Sequence, residues 1–139
     1  MRPERILLDA NVIVRLVTAD HPEHFKEAKA LFVQIENGQI EAELLDLILA
    51  EVVYVLTKVY GHNRTDVARV LKNLLAYEHL TVSSRAVLIA ALDRFAVQAI
   101  DFADAILCAK KQIEGMGSPV LTEKFSSADR DKIPPLSPP

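Results

Sequence analysis

Short apolar runs that stop at an acid or a turn residue alternate along this chain with longer segments whose apolar side chains recur at helical spacing. No other feature limits the fold as tightly. Strands separated by helix-length segments pair in parallel, because a parallel connection needs a dozen or more residues where a hairpin needs two. Residues 5–9 read as a buried parallel strand that ends on Asp9; Leu80–Val82 and the run SPVLT at 118–122 read as two more. Residues 39–45 fit either a short strand or an irregular entry. The spacing predicts helices over 11–18, over 23–36 with Pro22 in the first turn and Asn37-Gly38 past the end, and from Leu47 to Tyr60 with Asp46 as N-cap and Gly61 as stop. Further helices follow over 66–77 behind Thr65, from Ser83 or Ser84 to about Ala99, and over 102–114 closed by Gly115. The class is α/β, a small parallel β-sheet flanked by helices on both faces.

With 139 residues the chain fits one domain, expected over 1–133, followed by a Pro-rich tail at 134–139. The net charge of −3 gives no global mark of nucleic-acid binding, so any such contact would need a local basic rim. The single cysteine, Cys108, allows neither an internal disulfide nor a thiolate metal cluster, and a reducing compartment suits it. No apolar run approaches the roughly 20 residues of a membrane span, and the start lacks a signal-peptide pattern. A cytoplasmic protein without membrane contact is expected. Glycine-rich phosphate loops and the GxSxG elbow are absent from the sequence.

Three acids stand in apolar surroundings: Asp9 after Ile6-Leu7-Leu8, Glu51 within Leu47–Leu56, and Asp104 among Phe102, Ala103, Ala105 and Ile106. Open α/β sheets carry their sites at the carboxyl ends of the strands. Carboxylates gathered there at about 5 Å would repel by roughly 3 kcal/mol at an effective dielectric of 20. Relief comes from a proton or from a divalent cation, and an all-oxygen ligand set suits Mg²⁺ or Mn²⁺. Each acid also has a plainer reading. Asp9 can cap the helix after it; Asp101 and Asp104 have capping-box spacing; Glu51 can lie on an exposed stripe. Asn11 and Thr122 can support a carboxylate or a metal-bound water, or serve as turn residues. The four histidines are expected to face solvent, and Cys108 to be a core thiol.

In their order and separations, LLDANVIVRL, LILAEVVYVL, IDFADAILCAKKQ and PVLT resemble a PIN domain, and more narrowly the VapC-type toxins of toxin–antitoxin pairs. The resemblance spans roughly Ile6 to Phe125. It implies a small sheet between helices, an acidic pocket holding Mg²⁺ or Mn²⁺, endonucleolytic RNA cleavage, a cognate antitoxin that blocks the pocket, and a homodimer. By position it assigns Asp9, Glu51 and Asp104 as catalytic metal ligands, with Asn11 and Thr122 in support. The family often has a further acid where this chain has Lys124, in T-E-K-F; Glu123 or Asp101 could supply the missing carboxylate. RNA-rim candidates are Arg15, Lys58, Lys110, Lys111 and Lys124, and a groove for an antitoxin helix would use Val14, Leu16, Val17, Phe25 and Phe32. Two other classes stay open: a PIN-like module that binds RNA or protein without cutting, and an aspartyl-phosphate phosphatase, against which Asn11 stands where a second acid is usual.

Overall fold

The computed structural model describes residues 3–115. Three strands, β1 (Glu4–Leu7), β2 (Ile40–Leu44) and β3 (Leu80–Val82), form one sheet in the order β1-β2-β3, every neighbour parallel. The helices are α1 (Ala10–Thr18), α2 (Pro22–Glu36), α3 (Asp46–Tyr54), α4 (Arg64–Leu75), α5 (Arg85–Val97) and α6 (Phe102–Glu114). The α/β class with a small parallel sheet is thus the observed one.

Register explains which side of the sheet is apolar. Ile6 pairs with Ala42 and Ala42 with Leu80, so one row across all three strands faces the core. The next row, Leu7, Glu43 and Thr81, points the other way, as the two-residue period of a strand requires. Arg5 and Glu41 form a surface ion pair at 3.7 Å on that side. The ambiguous segment 39–45 is β2, the central strand. Its two glutamates hid it, because only Ala42 and Leu44 are buried there.

The helices supply most of the core. Ile13, Ile35, Leu49, Leu56, Leu71, Leu75, Leu88 and Leu92 are essentially inaccessible to solvent. Each such side chain contributes about 1.5–3 kcal/mol of burial. Among the described residues no polar or charged residue is buried, and no buried side-chain polar atom lacks a partner.

Local signals behave as their chemistry dictates in most places. Pro22 opens α2, where its missing N–H costs nothing. Gly38 follows α2 at φ 76° and carries the chain back toward β2; a Cβ there would stand 3.5 Å from the His79 ring. Two cap assignments differ from expectation. Leu45 rather than Asp46 precedes α3, and the Asp46 carboxylate accepts the adjacent Leu47 N–H at 2.8 Å. Asn63 rather than Thr65 caps α4: its Oδ1 accepts the Asp66 N–H at 2.8 Å while its amide donates to the Asp66 carboxylate at 2.9 Å. That reciprocal pair satisfies an orphan amide better than a threonine placed inside the helix could. Ser84 precedes α5 in a left-handed conformation, φ 55°, without a side-chain cap bond, and α5 ends at Val97.

The helix expected over 47–60 is also not uniform. After Tyr54 it widens into a π-helical turn, Val55–Val59, with the Tyr60 N–H reaching back to the Val55 carbonyl at 3.0 Å. The Thr57 hydroxyl donates to the Val53 carbonyl at 2.7 Å, giving that oxygen a partner across the transition. Gly61, at φ 74°, then ends the segment. The expected strand 118–122 and the tail 134–139 lie outside the described residues.

Candidate acidic site

The site begins where β1 stops. Leu8 continues the ladder by one bond, its N–H donating to the Glu43 carbonyl at 3.0 Å, and its side chain is buried. Asp9 then takes an extended conformation, and its Oδ1 accepts the Val12 N–H at 2.9 Å. Asp9 is therefore the N-cap of α1, as the plainer reading held. That bond uses one carboxylate oxygen and leaves the residue exposed. Asn11 is exposed in the first turn of the same helix.

Glu51 is exposed on α3 and makes no ion pair or side-chain hydrogen bond among the described residues. The apolar run around it does not bury it, and helix geometry gives the reason. Leu49, Val52, Val53 and Leu56 form the buried face; Leu47, Glu51 and Tyr54 fall on the opposite side at 3.6 residues per turn. Leu47 and Tyr54 are accordingly 64% and 62% exposed.

Asp101 precedes α6 and Asp104 lies in its first turn. The expected capping box does not form. The Asp101 backbone carbonyl accepts the Ala105 N–H at 2.9 Å, but its carboxylate caps nothing. Both acids are exposed and neither joins an ion pair among the described residues.

Tertiary packing links these positions through α3, which packs against both α1 and α6. Asp9, Glu51 and Asp104 thus stand on three elements that adjoin. Among the described residues, however, no three His, Cys, Asp or Glu side chains are grouped closely enough to hold a metal ion. The donor chemistry of Asp9, Glu51, Asp101 and Asp104 fits a hard dication, since all the ligands are carboxylate oxygens. Their described placement supplies no closed cage. Nor does burial force a cation on them, since every one is exposed. Thr122, Glu123 and Lys124 lie outside the described residues.

A cleft of about 650 Å³ runs between α3, the π-helical turn and the starts of α4 and α6; Tyr54, Lys58, Asn63, Arg64 and, alone of these acids, Asp101 are on its walls. Arg64 braces it. The guanidinium lies 3.9 Å over the Phe95 ring and donates to the Ile100 carbonyl through both terminal nitrogens, one bond at 2.9 Å. The turn that presents Asp101 and Asp104 is thereby tied to α4. Sequence reading missed Arg64, because a contact spanning 36 residues leaves no local spacing to detect.

The basic candidates divide. Lys110 pairs with Glu114 at 3.7 Å on its own helix. Arg15 is exposed on α1 and Lys58 lines the cleft just described. Of the histidines, His21, His62 and His79 face solvent, whereas His24 is half-buried, and so is Cys108.

Comparison with known families places the chain. The family described as PIN domain matches residues 6–128. No curated protein and no solved structure matches. Among the described residues no helix is long and apolar enough to cross a membrane.

Proposed function

Since this chain belongs to the PIN domain family, whose members are generally nucleases, we propose that it is a divalent-metal-dependent endoribonuclease, the toxin of a type II toxin–antitoxin pair. The observation that carries the reading is the position of Asp9. It follows the first strand of a parallel sheet, at the carboxyl end where such sheets place their chemistry, with one carboxylate oxygen fixed by Val12. Glu51 stands on α3 and Asp104 on α6, and α3 packs against both α1 and α6.

A bound Mg²⁺ or Mn²⁺ would lower the pKa of a water and offset charge on the phosphodiester. Asp9, Glu51 and Asp104 would hold it, with Asp101 or Glu123 as a further carboxylate and Thr122 in support. The chain's own work is positional. The cap bond from Val12 fixes one Asp9 carboxylate oxygen; α3 carries Glu51 on its exposed face; Arg64 anchors the turn before Asp104. Asn11, two residues after Asp9, offers an amide that can donate to a carboxylate or a phosphate oxygen.

Partners follow from the same reading. Leu47 and Tyr54, exposed on either side of Glu51, support a protein partner that covers the acidic face, the role of an antitoxin. A homodimer is expected on family grounds, and light scattering on the purified chain tests it. A second reading, a PIN domain that binds RNA without cutting it, draws support from Lys124 in T-E-K-F and from the lack of a three-acid group among the described residues.

Crystals grown in Mn²⁺ and measured for anomalous scattering separate the two. The nuclease reading expects density bounded by Asp9, Glu51 and Asp104. Density elsewhere, or none at saturating Mn²⁺, favours the binding module.

A further inference from the structure

A second, smaller cleft lies along α1, the helix that Asp9 caps. Its volume is about 230 Å³, and Asn11, Arg15 and Thr18 of α1, His21 and His24 at the start of α2, and Tyr60 after the π-helical turn line it. Asn11, Arg15 and Thr18 are spaced i, i+4, i+7, so they form one stripe along α1. That stripe starts two residues from Asp9 and rises about 1.5 Å per residue, which puts Arg15 roughly 9 Å along the axis from Asp9.

The lining sets nitrogen donors beside an aromatic face. Arg15 is exposed and makes no ion pair or side-chain hydrogen bond among the described residues, so its five N–H donors are unspent. His21 and His24 stand edge to face, 5.2 Å between ring centroids, and bring two more imidazoles to the same hollow. Asp20 is the single acid on the lining. Tyr60 supplies a flat apolar face: its ring is held nearly parallel to His62, 6.2 Å apart at 10°. The π-helical turn shifts where Tyr60 emerges relative to α3, and such insertions recur at functional sites.

We propose that this cleft binds one nucleotide of a single-stranded RNA next to the scissile bond, with Arg15 and the two imidazoles on phosphate and Tyr60 stacked on the base. Single strands are specified because a paired base cannot offer its face to an aromatic side chain. The proposal rests on the nuclease reading for its substrate, but its test is binding rather than cleavage.

The probe is a fluorescein-labelled single-stranded RNA of mixed sequence, titrated by anisotropy against the Asp9→Asn chain in Mg²⁺ over a range of salt. Tyr60→Leu should weaken binding about tenfold, and Tyr60→Phe should restore it, because the stacking face returns. Arg15→Gln should also weaken binding and should lower the slope of log affinity against log salt by about one. The same sequence as a duplex should bind more weakly than the single strand. Parental affinity and salt slope in both Tyr60→Leu and Arg15→Gln would overturn the subsite, while RNA cleavage by the unsubstituted chain would still stand. Loss of cleavage chemistry with these binding effects intact would instead overturn the nuclease reading alone. Should Tyr60→Leu fail to fold, the exposed Arg15→Gln and its salt slope decide the matter.

Discussion

The Asp9 carboxylate accepts the Val12 backbone N–H at 2.9 Å, so the residue that leads out of the first strand also caps the first helix. Its structural and chemical duties can be separated by substitution. Asparagine caps helices about as well as aspartate, whereas alanine costs roughly 1 kcal/mol. Urea unfolding should therefore find Asp9→Asn close to the parent and Asp9→Ala lower by about that amount. Equal stability of all three would show that the cap bond contributes nothing.

Glu51 and Asp104 carry no such structural duty. Both are exposed and neither makes an ion pair among the described residues. Glu51→Gln and Asp104→Asn should leave stability within about 0.5 kcal/mol of the parent. Cleavage rates should fall on the order of 10²–10³, the cost of removing one preorganised charged group from a transition state. A destabilised variant with full activity would reverse both assignments.

Arg64 holds the approach to α6. Its contacts, a guanidinium on Phe95 and hydrogen bonds to the Ile100 carbonyl, tie α4 to the turn before Asp101. Arg64→Ala should destabilise by about 1–3 kcal/mol in denaturant titration, the usual worth of a charged hydrogen bond with a partly desolvated cation–π contact. Arg64→Lys should recover only part of this, because an ammonium cannot present two parallel N–H groups to one carbonyl.

Tyr77 sets an alkaline limit. Burial first, and the Glu36 carboxylate second, push its phenol above the ordinary value of 10.0. The folded chain thus holds the phenolic proton more tightly than the unfolded chain. This group's contribution is complete below pH 10 and declines as pH climbs through the raised value. Tyr77→Phe should keep its edge-on packing against Phe32 and show a shallower loss of thermal stability above pH 10. A parent and variant with parallel alkaline profiles would remove Tyr77 as the cause.

Signals that act within a few residues were legible in the sequence. Pro22 at the start of α2, Asn37-Gly38 after it, Gly61, Gly115 and the strand Leu80–Val82 all occur where spacing and turn chemistry predict them. Signals that depend on the third dimension were not. Leu47 through Leu56 is apolar nearly all round, so nothing local distinguishes the face that packs from the face that carries Glu51 into solvent. The switch from α to π geometry at Val55 depends on backbone bonds that no side-chain pattern announces. Asn63 outcompetes Thr65 as a cap because Asp66 can answer it, a two-residue cooperation that a single-residue propensity overlooks. The acids Asp9, Glu51 and Asp104 could be picked out by their apolar neighbours, though for two of them the neighbours proved to bury a different side of the helix.

The most direct test of the central claim is the rate at which the purified chain cleaves single-stranded RNA as Mn²⁺ is raised from zero in chelated buffer. The account predicts no cleavage without the cation, saturation as it is added, and no recovery at any Mn²⁺ concentration in Asp9→Asn. Cleavage that persists in chelator, or that survives undiminished in Asp9→Asn, would contradict it.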